Sequence, residues 1–115
     1  MRQRLSQHET NELVLRLEER KYGRRLNSMQ LAQKASVPLD EINRVERQLP
    51  VEDPAVASRI ARALGISSDL LPKIAGLEDI STEELHGLDR CLRESPGPGP
   101  VSPECQALGL QPVYE

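Results

Sequence analysis

The sequence predicts an all-α fold, and three observations predict it. Apolar residues recur at helical spacing in successive short segments, those segments are bounded by capping residues, glycine or proline, and the apolar set is aliphatic. Trp and Phe are absent and Tyr22 and Tyr114 are the only aromatics, so the core must be built from Leu, Ile, Val and Ala. A length of 115 residues suits one compact core with a tail rather than two domains. The expected order is an N-terminal arm over 1–11, a five-helix domain over 12–76, one further helix within 77–94, and a flexible, disordered Pro/Gly tail over 95–115.

The first helix is expected from Glu12 to Tyr22, where Leu13, Val14 and Leu17 share one side and Gly23 ends the run. Asn27 then stands as an N-cap with Gln30 three residues on, a pair whose side chains satisfy two orphaned backbone donors, and the helix it opens runs to Ala35. Ser36-Val37-Pro38 breaks that helix, because proline pushes the preceding residue out of helical geometry and suits a first turn itself. The third helix buries Ile42 and Val45 and turns Leu39, Asp40, Asn43, Arg44 and Arg47 outward. Asp53-Pro54 opens a fourth helix with the stripe Val56, Ile60, Ala61, Ala63 and Leu64, closed by Gly65. A short fifth helix carries Leu70, Leu71 and Ile74 and stops at Gly76. Ser81 to Glu84 forms another capping box and launches a helix whose stripe is Leu85, Leu88, Cys91 and Leu92. That stripe either covers the core or forms a homodimer seam, and the residues leave both readings open. From Ser95 onward prolines and glycines fall too close together for regular structure.

Composition narrows the function. No apolar run approaches the roughly 18 residues of a membrane span, and the first residues lack the apolar stretch of a secretory signal, so a cytoplasmic location with no membrane partner is expected. Cys91 and Cys105 are accordingly expected as reduced thiols, and they carry no metal-binding signature. The net charge of −3 argues against a polyanionic partner, but its distribution does not. Residues 20–47 hold seven basic against three acidic side chains, whereas residues 48–94 hold nine acidic against five basic ones. Ser, Asp and His residues, His8 and His86 included, form no nucleophile–base spacing, and no phosphate-binding glycine loop occurs. No enzyme, cofactor or metal is expected.

The informative stretch is Leu26 to Gln48, followed by Ile60 to Ser67. Two short helices joined by a tight turn allow one to brace across a phosphate backbone while the other lies in the major groove. Leu31-Ala32 at the first motif helix, Val37 in the turn, the pair Ile42 and Val45, Glu46, and the close Ala63-Leu64-Gly65-Ile66-Ser67 together resemble the phage-repressor (XRE, Cro/cI-like) helix-turn-helix family over roughly residues 12–75.

The resemblance implies a repressor-like helix-turn-helix domain acting as a sequence-specific transcriptional regulator on double-stranded DNA, with helix 39–47 as recognition helix. It places base-reading side chains at Leu39, Asp40 and Arg44, of which Arg44 suits a two-bond contact with guanine. Phosphate contacts fall at Asn27 and Ser28, at Asn43 and Arg47, and at Arg24 and Arg25 in the connector. Glu46 matches a partly buried acid that pairs with an arginine of the first helix, here Arg16 or Arg20. Some positions depart from the pattern. Ser36 and Gln48 stand where glycine is frequent, so Ser36 requires a positive φ or an altered turn. Asp40 and Glu41 bring carboxylates to the front of the reading helix, and the loop Leu49-Pro50-Val51-Glu52-Asp53 lacks a basic clamp. The alternative is a protein-interaction module, an adaptor to another regulator or to the transcription machinery, that uses Leu39, Asp40 and Glu41 and does not itself bind DNA.

Overall fold

The computed structural model describes residues 2–94 and 99–112. These residues form seven helices, α1 (Gln7–Tyr22), α2 (Ser28–Ala35), α3 (Leu39–Glu46), α4 (Pro54–Leu64), α5 (Leu71–Ile74), α6 (Thr82–Glu94) and α7 (Pro103–Leu108), with two short strands, β1 (Arg2–Gln3) and β2 (Ile80–Ser81). The strands pair antiparallel, Arg2 opposite Ser81 and Gln3 opposite Ile80. No helix among the described residues is long and apolar enough to cross a membrane.

The N-terminal arm departs from expectation. Helix α1 starts at Gln7 rather than Glu12, because the Ser6 hydroxyl accepts from the Glu9 amide while the Ser6 amide donates to the Glu9 carboxylate. The apolar stripe begins only at Leu13, so periodicity alone misses the first turns. Residues 1–11 are thus part of the fold over the described stretch from Arg2, and Leu5 and Thr10 are buried.

Helices α2, α3 and α4 begin and end close to where their punctuation places them. Asn27 and Gln30 exchange their reciprocal cap bonds, and the Asp53 side chain accepts from the Ala55 amide. Ser36 takes the left-handed conformation at φ 57°, and the amides of Ser36 and Val37 donate to the carbonyls of Gln33 and Ala32. Leu13, Val14 and Leu17 of α1 meet Leu31 and Ala35 of α2, Ile42 and Val45 of α3, and Ile60 and Leu64 of α4 in one aliphatic core. Complete burial of Ile42 and Ile60 makes each worth about 1.5–3 kcal/mol relative to exposure.

A polar knot fixes the end of α3. Gln48, at φ 59°, donates from Nε2 to the Leu5 carbonyl at 2.6 Å and to the Thr10 hydroxyl at 3.0 Å. Thr10 in turn donates to the Ile74 carbonyl at 2.7 Å. Gly76 backs onto this knot with φ 74°, and a Cβ there would lie 2.1 Å from Gln48 Nε2 and 2.7 Å from the Leu5 carbonyl oxygen. Only glycine fits, so α1, α3 and the end of α5 are held in one register.

The C-terminal region corrects two expectations. The segment 95–115 is not uniformly irregular, since α7 forms within it, opened by the Ser102 hydroxyl, which accepts from the Cys105 amide. Residues 95–98 and 113–115 lie outside the described part. Cys91 and Cys105 are not free thiols but a disulfide with their Cα atoms 6.1 Å apart. Compartment reasoning could not foresee that α7 turns back onto α6, where a Cβ on Gly87 would lie 2.8 Å from Leu108 Cδ1. The chain then runs along the end of α4: Ser67 N–H donates to the Gly109 carbonyl at 2.7 Å and Gln111 N–H to the Gly65 carbonyl at 2.9 Å. Leu88, Cys91 and Leu92 are buried and Leu85 packs partly buried against the same core. The α6 stripe therefore packs on this chain's own core.

Candidate nucleic-acid interface

Helix α3 divides sharply between its faces. Ile42 and Val45 are buried, whereas Leu39 is 36% exposed, Asp40 and Arg47 are exposed, and Glu41, Asn43 and Arg44 are half-buried. No side chain caps α3 at Pro38, and Asp40 and Glu41 stand in its first turn, where their charges favour that end of the helix dipole.

The arginines of this face are not neutralised. Arg44 donates from Nη1 to the Pro50 carbonyl at 3.0 Å, which draws the α3–α4 loop against the helix. Among the described residues neither Arg44 nor Arg47 joins an ion pair, and neither does Arg24 in the connector. Arg25 differs. Its Nε lies 2.8 Å from Glu19 Oε1, so the helix-one carboxylate already holds it.

At the start of α2, the Asn27 side-chain oxygen and backbone amide are both engaged in the cap, and the Ser28 hydroxyl donates to the Glu46 carboxylate at 2.8 Å. This corrects the pairing expected for Glu46. Arg16 instead meets Asp89 at 2.9 Å, and buried Arg20 donates to the carbonyls of Gly65 and Gln111. The buried acid of α1 is Glu18, which accepts from the Leu26 amide at 3.0 Å. Burial holds its pKa above the ordinary 4.5, partly offset by that hydrogen bond.

Basic side chains not singled out by the sequence reading extend around the edge of the motif. Arg59 Nη1 reaches the Ser36 carbonyl in the α2–α3 turn at 3.4 Å, and Arg62 stands one turn further along α4. The Lys21 and Lys34 ammonium groups lie 5.5 and 5.4 Å from the Tyr22 ring centroid. The spacing of Arg59 and Arg62, opposite the stripe of Ile60, Ala63 and Leu64, was the available signal. The structure thus brings Leu39, Asp40, Asn43, Arg44 and Arg47 onto one helix face, with Asn27 and Ser28 on the helix that packs against it and Arg24 and Arg25 in the preceding connector. No protein-family model, curated protein or solved structure matches the chain.

Proposed function

We propose that the chain is a repressor-like helix-turn-helix protein, its five-helix unit formed by α1 to α5, and that it regulates transcription by laying α3 in the major groove of double-stranded DNA. The observation that carries this reading is that, among the described residues, Arg44 and Arg47 join no ion pair on the outward face of a helix whose inner face is locked in the core. Arg44 reads a base, Arg47 and Arg24 hold phosphates, and Asp40 accepts from a cytosine amino group or is displaced from the contact. The protein is not an enzyme in this reading and needs no cofactor.

Selection of genomic fragments on the purified protein, followed by footprinting, tests the proposal. A protected sequence is expected, and a dimer bound to it would protect half-sites about one helical turn apart. Failure to be retained on random duplex at low salt overturns it.

The adaptor reading has its own supporting observation. Met29, Leu39 and Leu49, at the starts of α2 and α3 and just after α3, are exposed large apolar side chains. A protein partner that buries Leu39 beside Asp40 and Glu41 explains them without DNA.

A further inference from the structure

Away from α3, the ends of α1 and α4 and the chain after α7 enclose a groove of about 600 Å³, within the range of small-molecule sites. Among the described residues its wall carries Lys21, Ser58, Arg62, Ser67, Ser68 and Gln111, two cations and three hydroxyls with no carboxylate. Lys21 donates to the Arg62 carbonyl, and Ser58 and Ser68 share a hydrogen bond of 3.2 Å. Arg62 itself, exposed, joins no ion pair among the described residues.

Two residues of the wall are held by Arg20, 2% exposed, whose guanidinium donates to the carbonyls of Gly65 and Gln111 and whose Nε has no partner among the described residues. The carbonyl at the C-terminal end of α4 takes up part of the Arg20 charge, and Lys21 and Arg62 add further positive charge beside it. Burial, then the neighbouring Arg20, Arg62 and Lys34, hold the Lys21 ammonium below the ordinary lysine value. An anion seated in the groove would relieve this repulsion and take donors from the hydroxyls and from Arg62.

We propose that the groove between the ends of α1 and α4 is a binding site for a small phosphate-bearing molecule, held by Arg62 and Lys21 and hydrogen-bonded by Ser58, Ser67 and Ser68. The site is independent of the α3 face and does not require that face to bind DNA. It also makes the segment after α7 part of a site, because Gln111 supplies one wall.

Titration of the full chain with inorganic phosphate and pyrophosphate, followed by amide chemical shifts, tests the inference. Saturable shifts are expected at Lys21, Ser58, Arg62, Ser67, Ser68 and Gln111, with tighter binding of pyrophosphate. Arg62→Gln, at an exposed position whose fold is checked by its melting curve, should weaken pyrophosphate by roughly tenfold to a hundredfold, the loss of hydrogen bonds to a charged group. Arg44→Ala should leave it unchanged. No saturable shift at millimolar probe, equal affinity in Arg62→Gln, or shifts centred on α3 would overturn the site. Displacement of pyrophosphate by short duplex DNA from these same residues would also overturn it, by making the groove a DNA-backbone contact.

Discussion

The two ends of this molecule treat charge in opposite ways. Around α6 the bases meet carboxylates: Lys73 meets Glu84, Arg16 and Arg93 meet Asp89, Arg90 meets Glu104, and Arg4 meets Asp79. Around α2 to α4 they do not. There, among the described residues, Arg24, Lys34, Arg44, Arg47, Arg59 and Arg62 lack carboxylate partners, and Arg25 is the exception. Surface ion pairs contribute little stability, so the difference concerns what each end offers to other molecules. One end is electrostatically closed and stapled. The other leaves cations on an otherwise acidic protein for a polyanion to use.

The sharpest way to break the comparison is to open the staple. Serine at both Cys91 and Cys105 removes a bond spanning 14 residues, which should lower stability by about 3 kcal/mol. Hydrogen exchange should quicken chiefly in α6, α7 and at Gly65 to Ser67, while α2 and α3 keep their protection. Equal loss of protection throughout would show that the two ends form one cooperative unit. Free-thiol titration without and then with a dithiol reductant checks the bond itself.

If the open end serves DNA, Arg44→Ala should cost about 1–3 kcal/mol on the selected sequence and relax its base preference. Arg47→Ala should weaken all sequences alike and reduce the salt slope by about 1. Binding isotherms at several salt concentrations separate the two. Identical behaviour of both variants would remove Arg44 as a reader.

Much of the fold was legible because its boundaries are local. The reciprocal caps at Asn27 and Gln30 and at Ser81 and Glu84, the stops at Gly23 and Gly65, and the stripes of α2 to α4 each depend on a few neighbouring residues. What stayed hidden depends on distant ones. Gln48 at positive φ looked like a misplaced glycine, yet its amide is needed by Leu5 and Thr10, some 40 residues earlier. The disulfide and α7 rest on a chain reversal that no periodicity records. Glu46 was assigned an arginine but reaches Ser28 instead, since Arg16 and Arg20 are drawn to Asp89 and to the carbonyls beside the groove. The proposed reading face was legible as a set of positions, and its unpaired charge was not.

Two glutamates sharpen the comparison through pH. Glu84, on the closed end, has its pKa lowered first by Lys73 and then by the Ser81 amide. A depressed acid stabilises the fold above its unfolded value and loses that contribution as pH falls through the folded one. Glu84→Gln should therefore cost about 1 kcal/mol at pH 7, with the difference vanishing in acid. Glu18 runs the other way, because burial raises its pKa. Its contribution is complete below 4.5 and is lost as pH rises through the folded value, so the charged form is a cost at neutrality. Glu18→Gln keeps an acceptor for the Leu26 amide and should raise stability at pH 7 while matching the parent in acid. Denaturant melts across pH check both, and like signs at neutrality would refute the contrast.

The smallest effect expected lies in the turn that orients α3. Ser36 holds φ 57° with its side chain exposed, and among the described residues no side-chain bond offsets the cost of a Cβ in the left-handed region. Glycine removes that cost of about 1–2 kcal/mol but enlarges the unfolded ensemble by about 0.4–1 kcal/mol. The two partly cancel, leaving a gain for Ser36→Gly of about 0.8 kcal/mol. Because the Ser36 carbonyl also receives Arg59, the turn must keep its path for that contact to persist. A small gain with unchanged amide shifts in α3 is the expected result. A loss of stability would mean that the serine hydroxyl contributes to the turn in solution, and that the departure from glycine there is itself a structural feature of the motif.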